Sequence, residues 1–356
     1  MEQILAKIME KFRLKGETEY FAPYGSGHIN TTYLLILKYD ANTYKYIVQR
    51  INDNVFRDVD KLMSNIAAVL DHLSEKGGRN LSYVKTASGA SYWADASGFY
   101  RVYDFIDDCT TSQIVDDAAL FLRAGRAFAD FQNKLRDFDA SRLYAVIADF
   151  HNTRKRFENF RASLKKDKCG RAAGAKREIA FVNEREGYSD VFVRLTESGA
   201  LPLRVTHNDT KINNVLFDNR GVEDVVIDLD TVMPGVTGYD FGDSIRSGCN
   251  TAAEDEPDVG KVHFDLELFK SFAEGYLKTS GDITATELET LAFSAILMTY
   301  ECGMRFLTDY LDGDIYFKTA RPLHNLERAR TQFKLVSEME GVLDDMKNIV
   351  SGLRSV

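Results

Sequence analysis

The stretch Arg204-Val205-Thr206-His207-Asn208-Asp209-Thr210-Lys211-Ile212-Asn213-Asn214-Val215-Leu216-Phe217, followed after a short turn by Val225-Val226-Ile227-Asp228-Leu229-Asp230, sets the reading of the whole chain. Both segments are apolar strand fragments with polar residues at their ends. Asp209 sits just outside the first fragment, the amide of Asn214 follows, and Asp228 closes the next strand. That order suits phosphoryl transfer, which needs a group to orient an attacking hydroxyl and oxygen ligands to hold Mg2+ on nucleotide phosphates. The expected roles are Asp209 as catalytic base, Asn214 and Asp228 as metal ligands, and Lys211 as a cation reaching the charge on the transferred group. Asp228 and Asp230 lie two apart, so in a strand they point to one side. Both are expected to see the metal, Asp228 more directly.

Composition narrows the class. The chain has 356 residues, 44% of them hydrophobic and 28% charged, as in an ordinary globular protein with room for two lobes. A net charge of −9 argues against a broad surface for nucleic acid or an anionic membrane. Cys109, Cys169, Cys249 and Cys302 show no Cys-x-x-Cys spacing, which speaks against a zinc site or a disulfide framework and fits a reducing, cytoplasmic setting. Met1 to Leu14 reads as an amphipathic helix, with neither a signal peptide nor a transmembrane run.

The order His-x-Asp-x-Lys-x-x-Asn, then an apolar strand ending in Asp, resembles the catalytic loop and metal strand of the kinase-like fold, in its aminoglycoside phosphotransferase and choline kinase branch. The resemblance implies an α+β, bilobal protein-kinase-like fold. A small antiparallel-sheet N-lobe would span residues 1–107 and a larger, mainly helical C-lobe residues 108–356. The literal string Asp240-Phe241-Gly242 lies too far downstream to be the metal site. Asp240 is expected to accept backbone N–H groups near the catalytic loop.

Upstream, Gly25 and Gly27 lie in a turn between β-prone runs, where backbone N–H groups can approach phosphates. Residues 44–51 read as a strand. Kinase-like folds present a Lys to the phosphates here, and this chain has Gln49 in the matching slot with Arg50 adjacent; neighbouring strand residues face opposite sides, so one of the two, and not both, faces the phosphates. Residues 58–76 read as a helix stopped by Gly77-Gly78. Short strands are expected around 81–86, 90–94 and 99–106. The last resembles the hinge strand, whose backbone at Phe105 and Ile106 would read the adenine edge. Helices are expected from near Asp116, twice within 150–198, from Tyr239, at 263–279, at 285–311 and at 324–350.

Four strings together look like the N-acetylhexosamine 1-kinases: Tyr24-Gly25-Ser26-Gly27-His28-Ile29-Asn30-Thr31-Thr32-Tyr33, Arg204 to Lys211, Glu301-Cys302-Gly303-Met304-Arg305-Phe306, and Gly313-Asp314-Ile315-Tyr316-Phe317. That family transfers phosphate from ATP, with Mg2+, to the anomeric hydroxyl of N-acetylglucosamine or N-acetylgalactosamine. The resemblance implies that His28, Asn208, Arg305 and Tyr316 bind the amino sugar. Arg305 is a charge inside an apolar helical pattern and needs either a partner or a ligand. Two other readings stay open: a kinase of the same fold acting on an amino alcohol or an aminoglycoside, and a nucleotide-binding module without catalysis, for which the missing strand Lys is the only support.

Overall fold

A computed structural model of the chain describes residues 2–25, 27 and 29–354. In chain order the strands and helices begin with α1 (Glu2–Lys11), β1 (Glu17–Pro23), β2 (Thr31–Tyr39), β3 (Asn42–Ile51), α2 (Val59–Lys76), β4 (Trp93–Asp95) and β5 (Gly98–Asp104). Next come β6 (Cys109–Thr110), α3 (Ala118–Lys134), α4 (Thr153–Lys166), α5 (Lys176–Glu184), α6 (Tyr188–Glu197), β7 (Arg204–Thr206), β8 (Val215–Asp218), β9 (Val225–Val226) and β10 (Met233–Gly235). The chain closes with α7 (Thr237–Gly248), α8 (Leu266–Thr279), α9 (Ala285–Asp312), α10 (His324–Gly341) and α11 (Leu343–Arg354).

Two compact units emerge. The first comprises Met1–Thr110, Ser141–Ile147 and Leu216–Val232, and the second Thr111–Ala140, Ala148–Val215 and Met233–Val356. A single cut at 107/108 does not contain the two segments that return to the first unit. The segment 216–232 returns because β8 pairs with β6, Cys109 opposite Asp218. Asp228 and Asp230 therefore belong to the first unit, and Asp209 and Asn214 to the second.

The first unit is built on a five-stranded antiparallel sheet in the order β1-β2-β3-β5-β4. Alternation decides its faces. Leu35, Leu37, Val48, Tyr100 and Val102 point one way and bury Ile8 of α1 and Phe12 just after it. Gln49 and Arg101, one residue on from Val48 and before Val102, point the other way as direct cross-strand partners. Helix α2 starts where Asp58 accepts from the Lys61 N–H and stops at Gly77, whose φ of 75° is left-handed. Its buried stripe is Leu62, Met63, Ile66, Val69, Leu70 and Leu73. Residues 81–86, expected as a strand, make only an isolated bridge from Tyr83 to Tyr103, and Val84 N–H bonds Val102 O.

The second unit is mainly helical, around the long buried α9. Thr284 and Glu287 close a capping box at its start, and Gly313 with φ 103° ends it. The region 150–198 holds three helices where two are expected, because Glu186-Gly187 breaks the second run. The last helix is likewise divided at Val342.

Helices α3 and α8 approach through glycines. A Cβ on Gly275 would lie 2.0 Å from the Leu122 carbonyl oxygen, and one on Gly125 2.4 Å from that of Phe272. Gly275→Ala would ordinarily gain up to about 1 kcal/mol of helix propensity. Here the backbone clash outweighs that gain, and urea unfolding is expected to show a net loss of about 2 kcal/mol.

Candidate active site

The second unit carries the loop after β7. This strand pairs with β10, Thr206 opposite Met233. The loop then turns through Asn208, which has φ 65°, a conformation that Asn and Asp adopt most readily among non-glycine residues. Its shape is imposed by Asp240 in the first turn of α7. The Asp240 carboxylate accepts from the His207 N–H at 3.0 Å, the Asn208 N–H at 2.7 Å and Gln132 Nε2 at 2.8 Å. Burial pushes its carboxyl up, and these donors with His207 oppose the rise. One turn later, Asp243 accepts from the Thr210 N–H at 3.1 Å and pairs with Arg246 at 2.8 Å.

Asp209 is held from two sides. Lys211 Nζ lies 3.1 Å from Oδ1, and Asn214 Nδ2 donates to Oδ2 at 3.1 Å and to the Asp209 carbonyl at 2.8 Å. Burial alone would raise this carboxyl. Lys211 first, then His207, outweigh burial and hold it below the ordinary carboxylate range. Lys211 is held above its usual range, chiefly by Asp209. Both bonds of Asn214 use its amide nitrogen, so the amide oxygen is the atom left for a cation.

Asn208 is not presented as expected. Its side chain is buried and donates to the Thr206 carbonyl at 3.2 Å. The left-handed backbone turns it into the loop, where it shapes the turn.

The first unit carries Asp228 and Asp230, and they do not share a strand face. Strand β9 ends at Val226, Asp228 has φ 61° and ψ 62°, and Leu229–Thr231 is a 3-10 turn. The left-handed residue costs roughly 1–2 kcal/mol and separates the two fates. Asp228 is exposed and Asp230 is buried. Asp230 takes Arg101 Nη1 at 2.6 Å on Oδ1 and Asn30 Nδ2 at 2.6 Å on Oδ2. With both oxygens engaged, Asp230 is not an open metal ligand. Among the described residues no three His, Cys, Asp or Glu side chains converge as a ready cation cage. An exposed carboxylate and an amide oxygen are each a donor type that suits Mg2+.

Gln49 faces Arg101, which donates Nε–H to its Oε1 at 2.9 Å, and Gln49 Nε2 donates to Thr32 Oγ1 at 3.1 Å. Arg50 lies on the other face and donates to the Ser97 carbonyl. Gly25 has φ 76°, and a Cβ at Gly25 or Gly27 would meet nothing within 4 Å. His28 lies outside the described residues. The Phe105 N–H is already bonded to the Lys45 carbonyl at 3.1 Å, so it is not available to a base. Of the two backbone amides expected to meet a base, that of Ile106 is the one left without a bond among the described residues.

Back in the second unit, Arg305 lies on α9 between two rings, 5.3 Å from the centre of Phe150 and 5.6 Å from that of Phe317. It has no carboxylate at ion-pair distance among the described residues. One turn earlier, Glu301 is buried and consumed by His151 at 2.8 Å and Thr153 at 2.5 Å. Asp309, one turn later, accepts the N–H groups of Ile315, Tyr316 and Phe317 at 2.9, 2.8 and 3.0 Å. That grip fixes the loop that lays Phe317 against Arg305. It leaves Tyr316 64% exposed beside Phe317.

Residues 21–277, more than half of the chain, match the model of the phosphotransferase enzyme family APH. The chain belongs to this family. Solved structures agree in fold. The choline kinase of Cryptosporidium parvum Iowa II is 14% identical with a TM-score of 0.62, covering 99% of this chain and 98% of that one. A microcompartment-associated aminopropanol kinase is 15% identical with a TM-score of 0.61, covering 98% and 99%. A spectinomycin phosphotransferase in complex with ADP and spectinomycin is 14% identical with a TM-score of 0.55, covering 96% and 98%. The architecture is thus the protein-kinase-like APH fold, an α+β chain with an antiparallel sheet in its N-terminal region and helices in its C-terminal region. Among the described residues no helix is long and apolar enough to cross a membrane.

The sequence reading of this phosphotransferase missed Arg101, Asn30, Asp243 and the aromatic partners of Arg305. Arg101 carried little signal, because a charge between Tyr100 and Val102 is also what a half-solvated strand shows. Phe150 and Phe317 had none, since their approach to Arg305 is made by distant segments.

Proposed function

We propose that this phosphotransferase is an ATP- and Mg2+-dependent kinase that phosphorylates the anomeric hydroxyl of an N-acetylhexosamine, N-acetylglucosamine or N-acetylgalactosamine. Asp209 orients the hydroxyl and takes its proton. The anomeric hydroxyl is more acidic than other sugar hydroxyls, so a carboxylate of low basicity suffices, in keeping with the depressed Asp209. Lys211 holds that carboxylate ionised and faces the charge that develops on the phosphoryl group. Asn214, through its oxygen, and Asp228 are the residues to hold Mg2+. When bound, the ion neutralises phosphate charge and orients the transferred group. Gly25, Gly27 and the Ile106 backbone serve the nucleotide.

The acceptor assignment rests on Arg305. Its guanidinium keeps N–H donors without a carboxylate among the described residues and is held by Phe150 and Phe317. Such a group suits the oxygens of a neutral sugar and repels a cationic amino alcohol or a polycationic aminoglycoside. Tyr316 adds an exposed ring for the sugar to pack on.

Phosphorus NMR with Mg-ATP and a panel of N-acetylglucosamine, N-acetylgalactosamine, glucose, choline, homoserine and kanamycin tests the reading. A new anomeric phosphate from the acetamido sugars is expected. Turnover only with choline, homoserine or kanamycin would replace the acceptor and keep the reaction. Arg305→Met is expected to lower acceptor kcat/KM by about 10- to 100-fold, the loss of one charged hydrogen bond, with the KM for ATP unchanged.

A further inference from the structure

The strand position that kinase-like folds give to a lysine holds a neutral Gln49, yet a buried cation stands directly opposite it on the next strand. Arg101 is 1% exposed. Its Nε–H is engaged by Gln49 Oε1 at 2.9 Å and its Nη1 by Asp230 Oδ1 at 2.6 Å, and its guanidinium lies 5.2 Å from the centre of the Tyr103 ring. Burial works against its charge, and Asp230 more than offsets this. A group so enclosed does not meet a phosphate. It holds Asp230 instead.

Asp230 is two residues beyond Asp228, inside the 3-10 turn that follows the left-handed residue. Its second oxygen takes Asn30, whose Oδ1 accepts the Asn52 N–H at 3.0 Å at the end of β3. Asn65 of α2 donates to the Val232 carbonyl at 2.9 Å and closes the same turn from the other end. The turn is thus clamped to strand β5, to the segment after the glycine turn, and to α2, all within the first unit. Asp228, in a backbone conformation that no strand would impose, is exposed at the start of the clamped turn.

We propose that Arg101 is a positioning residue that, through Asp230, fixes the turn presenting Asp228 to the metal. This inference rests on the reading of Asp228 as a Mg2+ ligand.

The test is an electron paramagnetic resonance titration of Mn2+ with a non-hydrolysable ATP analogue on the full chain, beside steady-state kinetics and circular dichroism. Arg101→Met is expected to weaken Mn2+ binding at least tenfold and to raise the Mg2+ activation constant similarly. The acceptor KM is expected to change less than twofold, and Arg101→Lys to recover most of the affinity. Asn30→Ala removes the other bond to Asp230 without leaving a buried charge, so it retains the fold if Arg101→Met does not. It is expected to weaken Mn2+ binding three- to fivefold. Unchanged Mn2+ affinity in a folded Arg101→Met, or in Asn30→Ala, overturns the proposal. So does a loss of nucleotide affinity that is equal with and without metal, which marks a direct phosphate contact. Asp228→Asn separates the two levels. If it weakens Mn2+ binding while the Arg101 and Asn30 variants do not, this inference fails alone. If Asp228→Asn leaves Mn2+ binding intact, the metal assignment fails and this inference with it.

Discussion

Asp209→Asn is expected to lower kcat by about 10³-fold, within the range that a positioned general base contributes. Thermal unfolding and the affinity for nucleotide should stay near wild type, because the amide keeps the size of the side chain. Phosphorus NMR under the conditions that convert wild type fully would show almost no product. Retention of more than a tenth of the wild-type rate would remove Asp209 from the reaction. The pH dependence follows from its environment. The folded carboxyl is held below its ordinary range, Lys211 and then His207 outweighing burial. Its ionised form therefore persists as pH falls through the ordinary carboxylate range, and it is lost only below that. Between pH 6 and 9 Asp209 contributes no limb to the rate profile. Lys211→Met removes the largest opposing charge and leaves burial to act, so the acidic limb moves to higher pH. An unmoved limb would show that Lys211 does not set the state of Asp209.

Asp240→Ala is expected to cost about 3 kcal/mol or more in urea unfolding. The substitution leaves the buried His207 and Asn208 N–H groups and Gln132 Nε2 without the carboxylate that accepts all three. Buried donors without an acceptor are among the few causes of losses this large. Activity should fall with it even where the chain remains folded, since these two amides bracket the left-handed turn before Asp209. A change below 1 kcal/mol would mean that the loop is shaped by β7 and β10 alone.

The contrast between Asp240 and the pair Asp228 and Asp230 shows what was legible in the chain. Spacing takes Asp240 out of the metal site, its expected role is to accept backbone N–H groups near the catalytic loop, and its carboxylate accepts the loop amides. Asp228 and Asp230 read as one strand face, and the backbone leaves that pattern after Val226, passing through left-handed Asp228 into a 3-10 turn. Strand alternation is a statement about regular φ and ψ, so it cannot register one left-handed residue. The same limit explains Phe105, a hinge amide by position whose N–H is taken by the Lys45 carbonyl.

By itself the sequence marked most individual strands and helices and the loop from His207 to Asn214, while their kinase-like arrangement followed from the resemblance of its motifs. The segments depend on periodicity, caps and short-range spacing, which are written locally. The tertiary structure alone decided which side chains remain open to a ligand. Asp230 is closed by Arg101 and Asn30, Asn208 turns inward, and Arg305 is held between Phe150 and Phe317. Each outcome depends on partners brought in from distant parts of the chain, and whether a charge meets a partner or awaits a ligand is a property of packing in space.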